Sequence, residues 1–445
     1  MTIMVTLTDQ EEEVNETEIC HFLDEIYGRN FDAEDREYNK KKNTVPFWKG
    51  IKESETDNRC YSPVHSDGDF YHESTTSSDN SAASQEDSTQ SSQKSISKAG
   101  LQNDSSTNTE IPNKKSILKN RARVSPSSRN VEENPTAPDP HIERRKKILQ
   151  KYPQISSLKN VEPRTKYYVI FSVLLQVYLA VLSRKLSGIY FYIAMYFIGA
   201  TINHSLFLAI HEISHNLAFT SIFWNRVLGI FANIPIGIPF SVVFGRYHTF
   251  HHHYMGRQLD TDIPTSWECY LVSDSATCYL DHCLRKAIYL SMYTVVYAVR
   301  PLILHPKIAL KLDFMLFLNI VTQIAFDMLI YHVFGMKPLI YFLGSTFLAG
   351  SLHPLGGRFL SEHLVVVQGS ETYSYYGNEN SICYNVGLHN EHHDFPRLCF
   401  TELPKLREIA PEFYSNLPAT KSWMQTQMQF IFDDNLGPSC RVKRV

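Results

Sequence analysis

Residues 186–215 read LSGIYFYIAMYFIGATINHSLFLAIHEISH, and this stretch decides the fold. Its first 25 residues carry no charge, enough to cross a bilayer as a helix. Its last five set His211 and His215 four apart, so both imidazoles leave one helical face and can reach one metal. Upstream, residues 167–183 (YYVIFSVLLQVYLAVLS) are also uncharged, and only Arg184 and Lys185 interrupt the two segments before residue 186. Two spans joined by so tight a turn form a hairpin that returns the chain to its starting side. Residues 143–166 carry eight Lys/Arg against two in the turn, which places that side in the cytosol.

A second pair follows. Residues 314–334 are long enough to span, whereas 338–352 are shorter and need neighbours. Asp327 lies inside the third span, where a carboxylate is a functional candidate by default; with no partner evident in the sequence, a packing or lumen-edge role is expected. Residues 224–244 and 288–304 are apolar but broken by Pro235, Pro239, Arg300 and Pro301, the pattern of interfacial or re-entrant segments. If both hairpins open to the cytosol, everything outside the lumenal turns shares one face.

Three histidine clusters lie on that face: HEISH at 211–215, HTFHH at 248–252 followed by His253, and HNEHH at 389–393. One pair on an apolar helix reads as packing, but three clusters do not. Eight imidazoles exceed one tetrahedral zinc and suit two metals, with iron that handles oxygen favoured by an imidazole-rich open site. HEISH also matches the HExxH motif of zinc peptidases. A membrane protease would need only one further ligand and would leave the other two clusters without a role.

The pattern resembles the membrane-bound fatty-acid and lipid desaturase superfamily, and within it the sphingolipid delta-4 desaturases. The residues that carry the resemblance are HSLFLAIHEISHNLAF (204–219), FANIPIGIP (231–239), DIPT (262–265), ETYSYYG (371–377), NVGLHNEHHDFP (385–396) and the basic leader ERRKKILQKYPQISSL (143–158). It implies iron ligands at His211, His215, His248, His251, His252, His389, His392 and His393, with His363 completing the second iron. His204 and His353 are expected behind the ligands or lining the substrate path. Glu212, Glu362, Glu391 and Asp394 are candidate acceptors for the outer imidazole nitrogens; His253 is expected outside the site. Arg358 stands where the family usually carries His, Phe250 where an acidic residue is usual, and 256–265 is one residue shorter than usual.

The implied reaction is O2-dependent introduction of a 4,5-trans double bond into dihydroceramide. An unactivated methylene needs metal-activated oxygen, so the resemblance implies two irons. Electrons would come from NADH through cytochrome b5 and its reductase, docked on the cytosolic face; no dinucleotide fingerprint occurs in the chain. Competing readings are sphingolipid C4-hydroxylation, a bifunctional enzyme, and a non-catalytic lipid-binding homologue. The lipid substrate places the protein in the endoplasmic reticulum membrane, multi-pass, with both termini and the histidine clusters cytosolic. A basic end at 441–445 (RVKRV) loosely matches a dibasic retrieval signal, but is expected to be simply solvated.

Averages over 445 residues conceal this. A mean hydropathy of -0.24 and a net charge of -3 describe a soluble chain and exclude a strongly basic nucleic-acid binder. Eight cysteines in so long a chain exclude a disulfide scaffold, and with no CxxC pair a thiolate zinc site is not expected. The mean is lowered by residues 1–139, where 14 of the 45 residues from 62 to 106 are Ser and disorder is expected. Within that stretch 18–27 (EICHFLDEIY) is expected to be a transient helix. The start lacks a signal-peptide pattern, and Thr2 stands where myristoylation needs a glycine. The expected architecture is an all-α membrane protein: about four transmembrane helices in two hairpins, a cytosolic histidine-rich di-iron cap and a disordered N-terminal tail. Its expected parts are 1–139, a basic leader 140–166, a membrane domain 167–425 and a cytosolic tail 426–445.

Overall fold

The computed structural model describes residues 139–257, 259–367 and 369–444. The Ser-rich extension and the expected helix at 18–27 lie outside the described residues. Helix α1 (Pro140–Lys151) opens the described chain. Asp139 caps it by accepting from the His141 backbone N–H at 2.9 Å, and Pro140 occupies the first turn, where a missing N–H costs nothing. Its Ile148 packs with Leu388, Phe395 and Leu398, which docks the basic leader on the third histidine cluster.

Two helices form the first hairpin, α2 (Thr165–Leu182) and α3 (Ile189–Ser214). Tyr167, Phe171, Leu174 and Tyr178 of α2 are exposed, an apolar surface that only lipid would cover. The α3 helix is half buried and forms the hub of the bundle. It contains one π-helical turn, Met195–Gly199. Helices α4 (Ile222–Asn233) and α5 (Ser241–Tyr254) follow. The α4 segment, extended by a 3-10 turn to Ile236, meets α5 at 114°. Helices α6 (Tyr279–Ser291) and α7 (Tyr293–Leu304) meet at 73°. Both bends agree with a non-straight reading of these apolar segments. The second bend falls at Met292, whereas Pro301 sits inside α7. Arg300 is no helix breaker either: it is buried and pairs with Glu268 at 2.7 Å.

Helix α8 (Phe314–Phe334) is the third long apolar helix. Among the described residues three helices are long and apolar enough to cross a membrane, or five if each bent pair counts as one span. Helix α9 (Met336–Ala349) has 14 residues, about 21 Å at 1.5 Å per residue, too short to cross alone. It packs closely on α3 because small residues meet there: a Cβ on Gly199 would collide with Ser345 Oγ. Several polar side chains inside the bundle pair across helices, as a membrane interior favours. Asn203 donates to Thr346 Oγ1 at 2.8 Å and accepts from Gln176 Nε2 at 2.9 Å. Asp327 has a partner after all, accepting from Gln323 at 3.0 Å.

The remaining chain caps one end of the bundle with α10 (Arg358–His363), α11 (His389–Asp394), α12 (Leu403–Ile409) and α13 (Trp423–Phe432). Strands β1 (Ser374–Tyr375) and β2 (Ala419–Thr420) pair in parallel. The expected solvated basic end is overturned. Arg441 and Arg444 are buried, because Arg444 reaches Glu371 at 2.5 Å and the Met255 carbonyl at 2.9 Å, so its charge is paired inside the cap.

Candidate metal centre

Nine imidazoles converge in two groups. Group one comprises His211, His215, His248, His252 and His392, with one ligand-capable atom of each lying within 4.8 Å of the others. Group two comprises His251, His363 and His393 on the same criterion. His389 joins it, with Nε2 2.9 Å from His363 Nε2 and 3.1 Å from His393 Nε2.

Helical spacing sorts the residues. The end of α3 delivers His211 and His215 from one face, four residues apart. On α5, His248 and His252 share a face and serve group one, while His251 turns to group two. On α11 the split is reversed: His389 and His393 serve group two and His392 serves group one. Each HxxHH cluster therefore bridges both groups, because i and i+4 align while i+3 lies beside them. His363, from α10, completes group two. All nine are buried except His215 and His252, which are half-buried.

The donor chemistry fits metal. His363 Nε2 lies 3.0 Å from His251 Nε2 and 2.9 Å from His389 Nε2, and His248 Nε2 lies 3.0 Å from His215 Nε2 and 3.1 Å from His252 Nε2. A single ring proton cannot satisfy so many converging nitrogens, whereas a cation accepts all their lone pairs. His211 Nε2 is buried without a hydrogen-bond partner among the described residues, which a metal ion would also resolve.

Behind the ligands, the strongest support was missed in the sequence. Asp260 Oδ1 lies 2.9 Å from His251 Nδ1, and the same carboxylate accepts from the Gly256 and Asp262 backbone N–H groups at 2.8 and 3.0 Å. Burial would raise this carboxyl, but the facing His251 overcomes burial and holds it below its ordinary range. Asp260 lies inside GRQLDTDIPT, nine residues after His251, and only the loop's fold back onto α5 brings them together.

The four expected carboxylates do not share one role. Glu362 approaches an imidazole, its Oε1 3.6 Å from His389 Nδ1, while holding Arg358 at 2.5 Å. Burial pushes the Glu362 carboxyl up although Arg358 opposes this. The other three are committed elsewhere, which corrects the expectation that they face the imidazoles of the two groups. Glu212 accepts from the Phe400 backbone at 3.0 Å. Glu391 accepts from Ser374 at 2.7 Å and Tyr376 at 2.9 Å. Asp394 holds His141 at 2.7 Å, Arg144 at 2.6 Å and Tyr414 at 2.9 Å. His141 and Arg144 had read only as leader composition; they clamp α1 to α11 instead.

His204 donates from Nδ1 to the Ala349 carbonyl at 2.8 Å and accepts from Arg358 Nε at 3.4 Å. His353 accepts from the Leu355 backbone at 3.3 Å and lies edge-on to Tyr196. Neither His204, His353 nor His253 belongs to either group. An aromatic run leads to the groups: Phe207, Phe240 and Phe244 are in mutual contact, and Phe244 stacks on His248 with centroids 5.0 Å apart.

Residues 187–423 match the fatty acid desaturase family, and residues 136–164 match the sphingolipid delta4-desaturase family. The chain is 45% identical over 307 residues to a sphingolipid delta(4)-desaturase DES1-like protein of Oryza sativa subsp. japonica, covering 69% of this chain and 90% of the relative. It is 44% identical over 309 residues to the human sphingolipid delta(4)-desaturase/C4-monooxygenase DES2, covering 69% and 92%. It is 42% identical over 308 residues to the human sphingolipid delta(4)-desaturase DES1, covering 68% and 92%. No solved structure matches the chain.

Proposed function

The chain belongs to the sphingolipid delta-4-desaturase family of the fatty acid desaturases, and from that premise we propose that it converts dihydroceramide to ceramide by O2-dependent 4,5-desaturation at a histidine-held pair of irons. The observation that carries this reading is the sorting of nine imidazoles into two adjoining groups with no carboxylate among those of group one. Imidazole-only shells disfavour Mg2+ and Ca2+, and two groups exceed the needs of a zinc peptidase.

On this reading His211, His215, His248, His252 and His392 hold one ion, and His251, His363, His389 and His393 the other. Bound iron supplies the oxygen activation that an unactivated methylene C–H bond requires. The protein's own part is orientation. Asp260 accepts a hydrogen bond from the outer Nδ1–H of His251 and leaves the inner Nε2 lone pair free for an ion. Phe207, Phe240 and Phe244 offer an apolar wall that holds a methylene chain and keeps water out. Electrons arrive from NADH through cytochrome b5 and its reductase. The shallow basic surface formed by Arg145, Lys159 and Arg397 beside Phe395 and Pro396 is where we place that docking, on a cytosolic face of the endoplasmic reticulum membrane. The parts 1–139, 140–166, 167–425 and 426–445 are retained as a proposal, with the last packed into the cap.

A second reading, C4-hydroxylation or both activities together, is supported by the 44% identity to a relative named for both. Both begin with hydrogen removal and differ in the placement of the second hydrogen. The test is expression in cells lacking this activity, feeding of labelled dihydroceramide and mass spectrometry of the lipids. Loss of two mass units is the expected result and gain of sixteen identifies hydroxylation. A folded, iron-loaded protein that forms neither product sinks both readings.

A further inference from the structure

We propose that Arg358 is a substrate-specificity residue: an N–H of its Nη2 donates to the oxygen on carbon 3 of the sphingoid chain, the carbon next to the reacting pair. The inference rests on the sphingolipid reading above and adds to it the group that selects the substrate.

Arg358 is 3% exposed, and most of its guanidinium is accounted for. Nη1 donates to Glu362 at 2.5 Å, Nε donates to His204 Nε2 at 3.4 Å, and the guanidinium carbon lies 4.0 Å over the Phe359 ring and 5.6 Å over Phe207. Nη2 is buried and has no hydrogen-bond partner among the described residues. A guanidinium is always charged, offers only donors, and is costly to bury with a donor unmet.

The position fits an oxygen beside the reacting carbons. Glu362, gripped by Arg358, approaches His389 of group two to 3.6 Å. His204, its other partner, precedes His211 of group one on the same face of α3. The guanidinium thus stands one residue from each group. Its surroundings are aromatic: Phe359 lies 5.6 Å from Phe207, 5.5 Å from Tyr293 and 5.2 Å from Tyr297. One unpartnered nitrogen in a largely aromatic wall is how a pocket orients a mostly hydrocarbon ligand. In a 4,5-desaturation the nearest polar atom of the substrate is the 3-oxygen, and a donor-only group reads it as an acceptor.

The rival role is indirect. If Arg358 only neutralises Glu362, it acts through His389 and affects every substrate alike.

The experiment uses the full chain in lipid nanodiscs and three short-chain ligands: dihydroceramide, its 3-keto analogue and its 3-deoxy analogue. Both equilibrium binding and kcat/KM are measured for wild type, Arg358→Met and Arg358→Lys. Wild type should bind the keto compound within about threefold of dihydroceramide and the deoxy compound roughly 10- to 100-fold more weakly, because the keto oxygen keeps its acceptor. In Arg358→Met the three should converge to within about threefold, with Arg358→Lys between. Equal binding of the deoxy compound by wild type overturns the proposal. So does rejection of the keto compound, which would mean that the hydroxyl is read as a donor, and so does discrimination that survives in Arg358→Met. Should Arg358→Met fail to fold, the keto and deoxy comparison on wild type decides alone. Failure to bind any of the three overturns the sphingolipid reading itself, whereas equal use of all three removes only the role of Arg358.

Discussion

The two imidazole groups are built differently. Four of the five group-one ligands come from long helices, two from α3 and two from α5, with His392 of α11 the fifth, and Phe244 of α5 stacks on His248. Group two depends on short elements, the six-residue α10 and α11, and on charges behind them: Asp260 at His251, and Glu362 with Arg358 near His389. The box-two loop that carries Asp260 is itself pinned at several points. Arg300 donates to the Thr261 carbonyl at 3.2 Å, and Arg444 holds Met255 and Glu371. Helix packing therefore positions group one, whereas ionic tethers position group two.

On the di-iron reading, the sharpest break comes from the ligands. His252→Ala or His392→Ala in group one, and His363→Ala in group two, should each abolish turnover and lower bound iron from about two per chain to about one. His253→Ala should leave both readouts unchanged. Iron analysis of purified variants checks this, and loss of activity in His253→Ala would show that the groups are wrongly drawn. Next in size is Asp260→Asn, expected to weaken metal binding at group two by about 10- to 100-fold while sparing group one. Chelator competition should then resolve two affinities where wild type shows closer ones; a uniform drop would contradict separate support.

Arg444→Ala should cost about 3 kcal/mol by leaving Glu371 buried without its ion pair. Hydrogen exchange should rise in 255–262 and not in α3. Equal loosening of α3 would erase the contrast between the groups. The smallest effect is a pH dependence. Arg164 holds the Glu162 carboxyl down at about 2, against the opposing effect of burial, and Glu162 also accepts from Thr401 at 3.0 Å. A lowered carboxyl stabilises the fold above its unfolded pKa, and that stability is lost as pH falls through the folded value. The melting difference between wild type and Glu162→Gln should therefore be full at neutral pH and shrink between about pH 5 and about pH 2. A difference constant across that range rejects the pairing.

What could be read in advance follows from period and range. Uninterrupted apolar runs mark spans because lipid leaves no other way to satisfy the backbone, and 167–183, 186–210 and 314–334 correspond to α2, α3 and α8. The histidine clusters were legible for a similar reason, since ligands on one short helix must be three or four residues apart. Residues whose partners lie far along the chain were not legible. Asp327 had no visible partner although Gln323 was one turn away, because two polar groups in a span can equally face different helices. Arg144 looked like one more cationic leader residue until Asp394, 250 positions later, received it. Arg444 looked solvated until Glu371 and Met255 enclosed it.

By itself, then, the sequence determined that this is a helical membrane protein with three metal-spaced histidine clusters, because hydrophobic length and i, i+4 spacing are local properties. Only the tertiary structure decided which histidine joins which group, that Asp260 rather than Glu212, Glu391 or Asp394 supports a ligand, and that Arg358 Nη2 is buried without a partner among the described residues. Those outcomes depend on which distant elements pack together, and burial alone determines whether a charged side chain must find a partner.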